Sequence, residues 1–404
     1  MSGTDTDTSR DSSQLHSGHS GNEEREEKLP ADGQNDEELS PDEEYAEIAN
    51  LSRQGYQLLK KGNVSDAIEC FREIIEVDPE NNYALVGIGD AYRKKRRYQE
   101  ATHYYQRCLQ FYPENNYALF GLADCYRNMK QFHRAIEVWE KYLVLDDRNV
   151  TVLTRVADAY RKVKNLERSE AIYLSVLEME KDNPYALIGL GHLHYDFKNF
   201  EKALGYWMRM YDIQGERVDI RVLTSIGNCY RKLKRFEDGV QYFTKALERE
   251  GQNFYALFGL ADCYRGMSRP ELSIEYWNRI LQKDPHNKVI LTRAGDAYRR
   301  QELLDEAVGC YRRALNIEYD SYAVLGLASI NKIRKRYDEA AQSLEGLLKN
   351  EGRIFRVYPE LMECYVNLRD RHAARNLWEK FERLRGIQPP VQRQMKELKQ
   401  KIGV

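Results

Sequence analysis

Small and apolar residues recur along this chain in a helical rhythm that restarts about every 34 residues. We number each unit so that Tyr117 and Tyr255 both take position 2. Units then start at Ile48, Asn82, Asn116, Val150, Pro184, Ile220, Phe254, Lys288, Ser321 and Phe355, with a step of 34 except 36 before Ile220 and 33 before Ser321. Positions 4, 7, 8 and 11 share one face of a predicted first helix, and positions 20, 24 and 27 one face of a second. Position 20 is small in every unit, from Ala67 to Ala374, and position 8 is Gly or Ala in all but the last, which has Met362. Position 24 is aromatic in nine units, among them Phe71, Tyr105, Trp139, Trp207, Trp277 and Trp378. Tyr holds position 11 in seven units. Small residues at 8 and 20 let two helices approach closely, and the ring at 24 fills the space beside them. Pro or Gly closes seven units, as at Pro79, Pro113 and Pro285, and stops the helix. A single hairpin of this kind cannot bury its apolar face, so the units must stack.

This pattern resembles the tetratricopeptide repeat family over about residues 45–388. The resemblance implies an all-α, right-handed superhelical solenoid of about ten helix pairs, with the first helices lining a concave surface. The expected organisation is a disordered acidic tail over 1–43, an array of ten units over 44–388 and a capping helix over 389–404. In that last segment Val391, Met395, Leu398 and Ile402 make one apolar stripe. The first unit departs from the pattern with Gln54 and Leu58 at positions 7 and 11, and the ninth with Asn331 at 11 and Leu344 at 24. Both are expected to pack more loosely.

A longer period lies above the first. The eleven letters YALFGLADCYR occur at 117–127 and again at 255–265, four units later. Units with YAL.GL and a Trp at position 24 alternate with units carrying LTR or LTS. The array therefore looks built from paired units, duplicated.

Composition changes the picture in two places. The chain has 404 residues and a net charge of -2, but residues 1–44 hold fourteen acidic and three basic side chains, a net of -11, leaving +9 on the remainder. That acidic segment nearly lacks aromatics, and such sequences cannot offset their ordering entropy by burial. Seven cysteines, none in a C-x-x-C pair, point to reduced thiols in a cytoplasmic protein. No apolar run is long enough to span a bilayer, and the N-terminus has no hydrophobic signal core, so no membrane insertion is expected.

Positions 2, 5, 9 and 12 lie off the core face of the first helix. The family resemblance makes this the ligand-facing surface, a candidate peptide-binding groove. Position 2 supplies Tyr83, Tyr117, Tyr185, Tyr255 and Tyr322, and position 5 supplies Phe120 and Phe258. Position 9 supplies Asp90, Asp124, Asp158, Asp262 and Asp296, with Asn228 in the sixth unit. Position 12 supplies Arg93, Arg127, Arg161, Arg231, Arg265 and Arg299. The fifth unit breaks the ladder with His192 and Tyr195. One reading is architectural: Asp and Arg three apart pair along a helix, and Tyr packs on the next unit. Such pairs contribute only about 0.3–0.5 kcal/mol each. The other reading is recognition, with Asp and Arg offered to a peptide backbone and Tyr as flat contact area. The Lys and Asn clamp by which chaperone adaptors of this family hold a terminal carboxylate is not matched, because position 9 is Asp and position 5 has no Lys.

The segment between the two helices of a unit is basic, as in YRKKRRY (92–98), YRKLKRF (230–236) and NKIRKRY (331–337). Segments between units are acidic, as in EVDPEN and LDDRN. Stacking would place a basic rim along one edge, an electrostatic surface for a polyanion. The sequence shows no P-loop, H-E-x-x-H or nucleophile elbow. His192 and His194, two apart on a helix, point to different sides and make a poor metal pair. The expectation is a non-catalytic adaptor or scaffold without cofactor or metal, holding a protein or peptide partner in its groove. The alternatives are nucleic acid or another polyanion on the rim, and self-association of the solenoid.

Overall fold

A computed structural model describes residues 41–351 and 354–403. It contains twenty-one α-helices and, among the described residues, no strand. They form ten antiparallel pairs: α1 (Pro41–Lys61) with α2 (Val64–Val77), α3 (Asn82–Lys94) with α4 (Tyr98–Phe111), α5 (Asn116–Asn128) with α6 (Phe132–Leu145), α7 (Val150–Lys162) with α8 (Leu166–Met179), and α9 (Pro184–Asp196) with α10 (Phe200–Gln214). A 3-10 turn at Gly215–Arg217 absorbs the two extra residues before the sixth unit. The series continues with α11 (Ile220–Lys232) and α12 (Phe236–Arg249), α13 (Phe254–Gly266) and α14 (Pro270–Lys283), α15 (Lys288–Arg300) and α16 (Leu304–Ile317), α17 (Ser321–Ile333) and α18 (Tyr337–Asn350), and α19 (Val357–Leu368) and α20 (Arg371–Glu382). The last helix is α21 (Pro389–Ile402).

Each helix packs on its successor, so the chain is an all-α solenoid. First helices also touch one another across units, as α1 does α3, α3 does α5 and α11 does α13. Second helices have no such contact of comparable extent. The array therefore curves toward its first helices, and their outward face is the inner surface.

The core is a row of rings at position 24. Phe71, Tyr105, Trp139, Trp207, Phe243, Trp277 and Tyr311 are all essentially fully buried. Burying a side chain of that size stabilises by about 1.5–3 kcal/mol. Four of these rings are wedged between two glycines, one at position 8 of their own unit and one at position 6 of the next. A Cβ on Gly89 or Gly121 would lie 2.6 or 2.3 Å from the Tyr105 ring. Phe71, Phe243 and Tyr311 sit in the same way against Gly55 and Gly87, Gly227 and Gly259, and Gly295 and Gly326.

Side chains between units cap the first helices. Asn81, Asn115, Asn149, Asn183, Asn253 and Asn287 each accept a bond of 2.9–3.2 Å from the N–H three residues on. A cap of this kind contributes about 1 kcal/mol. Five of these asparagines also donate to an acidic side chain of the same loop, Asp78, Asp146, Glu180, Glu250 or Asp284, at 2.6–3.0 Å. The acidic inter-unit loops thus build the caps.

Some expectations need correction. The tail drawn over 1–43 is too long by three residues, because α1 begins at Pro41; residues 1–40 lie outside the described residues. The first and ninth units do not pack loosely at the ring position. Tyr56 stands edge-on to buried Phe71 at 5.1 Å, and Leu344 is fully buried in the aromatic's place. In α21, Met395, Leu398 and Ile402 are buried and join a cluster with Tyr358, Leu377 and Phe381 of the last pair, with Val391 half-buried beside it.

The wedge predicts opposite signs for two glycine substitutions. Gly121→Ala should lower stability by about 1–3 kcal/mol, because the buried Tyr105 ring has nowhere to move. Gly309→Ala, exposed within α16 with nothing near its Cβ, should raise it by about 0.5–1 kcal/mol. Circular-dichroism denaturation of both variants checks the pair.

Candidate functional site

The four repeat positions meet on the inner surface as expected from helical geometry, but their partners are not those of an isolated helix. The position-2 tyrosines Tyr83, Tyr117, Tyr185, Tyr255 and Tyr322 are 63–79% exposed. Packing on the next unit covers little of these five side chains.

The Asp and Arg ladder runs across helices as well as along them. Arg93 pairs with Asp90 at 2.7 Å in its own helix and with Asp124 of the next unit at 3.3 Å. Arg161 pairs with Asp158 at 2.7 Å and with Asp196 of the next unit. Arg299 lies 3.7 Å from Asp296. Tyr105 and Tyr311, the wedge rings of their units, donate through their hydroxyls to Asp90 and Asp296 at 2.8 and 2.7 Å. Burial, then the charge of the facing aspartate, pushes both phenols well above their ordinary range.

Two of the aspartates are different. Asp124 and Asp262 are each 6% exposed and each meets three arginines. Around Asp124 stand Arg93 at 3.3 Å, Arg127 at 2.8 Å and Arg155. Around Asp262 stand Arg231 at 2.6 Å, Arg265 at 2.7 Å and Arg293 at 3.2 Å. The two clusters match residue for residue, four units apart. Arg155 and Arg293 also lie over the rings of Phe120 and Phe258, at 4.9 and 5.1 Å. Burial pushes the Asp262 carboxyl up, but bonds and charge from Arg265 and Arg231 outweigh it and hold the carboxyl below its usual range.

Arg155 and Arg293 were missed in the sequence reading. They occupy position 6, where five other units have Gly and the sixth has Ser225. The signal was the LTR triplet, whose Arg breaks a column of small residues. Asn228 takes the place of Asp90 in the second half and accepts from Arg231 at 3.0 Å. In the fifth unit His192 and Tyr195 form an aromatic group instead of an ion pair, their rings 5.4 and 5.8 Å from Trp207. His192 is open to solvent, yet crowding by neighbouring helices and then Arg161 lower its pKa. His194 points the other way, fully buried, stacked on Tyr206 at 5.6 Å and 3.3 Å from Glu170.

The chemistry expected to be absent gets no support from these residues. All seven cysteines are buried, and burial pushes Cys125, Cys229 and Cys263 up to about 12, which keeps them protonated and unreactive. Among the described residues no group of three His, Cys, Asp or Glu side chains could hold a metal ion. Among the described residues no helix is long and apolar enough to cross a membrane.

Asp262→Asn tests the cluster. Three guanidiniums would lose their shared anion. The cost should be about 2–3 kcal/mol, less than for a fully buried pair because the arginines keep part of their side chains in water. The Asp262 pKa is lowered on folding, so its contribution is complete above the unfolded carboxylate pKa and disappears as pH falls through the folded value. The gap in melting temperature between wild type and D262N should therefore be wide at pH 7 and close as pH falls below the ordinary aspartate range.

Comparison with known proteins bears on the whole array. The family model for the tetratricopeptide repeat matches residues 52–116, 155–216, 225–288 and 292–352. The model for anaphase-promoting complex, cyclosome, subunit 3 matches residues 94–176. Among solved structures, the C-terminal part of a TPR repeat-containing protein from Cytophaga hutchinsonii is 15% identical, covers 60% of this chain and 98% of its own, and superposes with a TM-score of 0.50. PilF of Pseudomonas aeruginosa is 15% identical over 53% of this chain and 96% of its own, with a TM-score of 0.45. MamA is 24% identical over 43% of this chain and 94% of its own, with a TM-score of 0.39. The solved structures at these identities speak for the fold alone. The four family-model matches together span more than half of the sequence, and they fall on the helix pairs described above: the chain belongs to the tetratricopeptide repeat family.

Proposed function

We propose that this protein is a non-catalytic adaptor or scaffold that holds a segment of a protein partner along its inner surface. One observation carries this reading: five tyrosines at a single repeat position are 63–79% exposed beside a half-buried ladder of Asp and Arg. Exposed aromatic groups repeated in a row along one face are a mark of an interaction surface. Tyr supplies rigid contact area with little entropy to lose, and the ladder supplies oriented donors and acceptors. Unpaired buried thiols fit a reducing, cytoplasmic setting.

The tyrosines, not the arginines, are the clean test. Arg127, Arg161 and Arg231 hold aspartates in place, so replacing them would disturb fold and binding together. The double variant Tyr117→Ala, Tyr255→Ala should melt like the wild type. It should retain any discrete, nuclease-resistant protein partner at least about tenfold more weakly on immobilised full-length chain. Equal retention by both proteins at moderate salt would remove the reading.

A second reading, a polyanion on the basic rim, is favoured by one feature of the turns. Position 15 is left-handed in every unit. Only the first unit has Gly there, Gly62; seven of the other nine have Lys or Arg: Arg96, Lys130, Lys164, Lys198, Lys234, Lys335 and Arg369. That conformation costs a non-glycine residue about 1–2 kcal/mol. Exposed cations retained there at such a cost suggest a use for the charge. The variant Lys130→Gly, Lys164→Gly, Lys234→Gly should then be at least as stable as wild type. It should also lose retention on heparin and show a shallower salt dependence.

A further inference from the structure

The two arginine clusters carry more cation than their fold requires. Three guanidiniums offer fifteen N–H donors, whereas one carboxylate has about four acceptor sites. Even with the bonds of Arg93 to Asp90 and Tyr105 and of Arg231 to Asn228, most donors of each cluster have no protein partner. The Arg127 Nε is buried with no partner. The arginine side chains keep 16–39% of their surface open, so a ligand can reach them. Burial, assisted by the neighbouring arginines, disfavours the charged forms of Arg155 and Arg293, as expected where cations are crowded without enough counter-charge.

What lies between the clusters is of another character. The fourth unit presents Arg161 held between Asp158 and Asp196, a net of -1. The fifth presents the aromatic group of His192, Tyr195 and Trp207. Along the array the inner surface thus runs cationic, slightly acidic, aromatic, cationic. A nucleic acid, with a charge on every nucleotide, would meet Asp158 and Asp196 midway. A polypeptide can place its charges where the surface wants them.

We infer that Arg93, Arg127 and Arg155 form one carboxylate-binding site and Arg231, Arg265 and Arg293 a second, together taking two separated acidic anchors of one extended partner segment. This rests on the proposal that the inner surface binds a protein. Asp124 and Asp262 hold the guanidinium forks in place before the ligand arrives, which lowers the ordering cost of binding. The two sites differ in strength. Asp90 competes for Arg93 in the first, whereas neutral Asn228 occupies that place in the second.

The test uses synthetic peptides and the full-length chain. The probes are triglutamate and a fluorescent series with two triglutamate blocks joined by Gly-Ser linkers of increasing length. Calorimetry with triglutamate should find two sites per chain, the tighter one lost in Arg293→Ser and the weaker in Arg155→Ser. Ser is already tolerated at this repeat position as Ser225, and each aspartate keeps two arginines, so both variants should melt close to wild type. In anisotropy the linked peptides should bind tightest at one linker length, by at least about tenfold over a single block. The double variant Arg155→Ser, Arg293→Ser should abolish that optimum, and Arg155→Lys, Arg293→Lys should restore part of it.

Several outcomes would overturn the inference: wild-type affinity in the serine double variant, binding that responds only to replacement of Lys130, Lys164 and Lys234, or a single-stranded oligonucleotide outcompeting the peptides at these arginines. If the serine variant matches wild type for both glutamate peptides and the protein partner while Y117A/Y255A loses the partner, the arginine sites fall and the groove reading stands. If the partner is indifferent to the tyrosines as well, both fall.

Discussion

The seating of one ring per unit between two first helices is the constraint on which the rest of this structure depends. The position-24 side chain rises from a second helix and fills the gap between the first helix of its own unit and that of the next. Tyr105 against Gly89 and Gly121 shows the tolerance, since neither glycine could gain even a methyl group without meeting the ring. The ring therefore sets the spacing of consecutive first helices. That spacing lets Arg93 reach Asp124 and Arg231 reach Asp262 across thirty-one residues of sequence. Charge pairing on the inner surface is a consequence of apolar packing beneath it.

The identity of the ring then decides what the surface above it carries. A tyrosine passes its hydroxyl through to the ladder, as Tyr105 does to Asp90 and Tyr311 to Asp296. A tryptophan has no hydroxyl to pass through, and the indole N–H groups of Trp139 and Trp277 have no partner. After those two tryptophans the next unit supplies arginine at position 6, and its guanidinium takes the place beside the aspartate that the phenol would have had. Trp207 is followed by Ser225 instead, so the charge recurs with the four-unit repeat and not with every pair. The repeated YALFGLADCYR stretch marks the two places where the arginine version occurs.

Much of this was legible from residue order, and the limits have physical causes. The helix pairs, the small positions and the covering helix follow from local periodicity, because each unit repeats its own packing problem. That positions 2, 5, 9 and 12 share a side of the first helix followed too, since that is a matter of helical angle. The partners did not. A helical wheel pairs Asp124 with Arg127 three residues on and is blind to Arg93 and Arg155, thirty-one residues to either side. The asparagine caps escaped for a different reason: Asn at the unit boundary looks like ordinary loop composition until the backbone N–H it accepts from is in view. The basic turns were visible as charge but not as strained charge, because φ cannot be read from the letters.

The buried aspartates reconcile the architectural and recognition readings of the ladder. Exposed pairs along one helix are too weak to justify so regular a feature. A carboxylate buried beneath three arginines is not weak, and removing it would leave cations facing one another. It also cannot be the ligand-binding group, because it lies under them. Its effect is to fix the arginines, each otherwise a long and mobile side chain, while part of each stays open to solvent. Rigid donors lose little entropy when an anion arrives. The same bonds that stitch one repeat to the next hold these side chains in place, so under the function proposed above stability and recognition would draw on one set of residues.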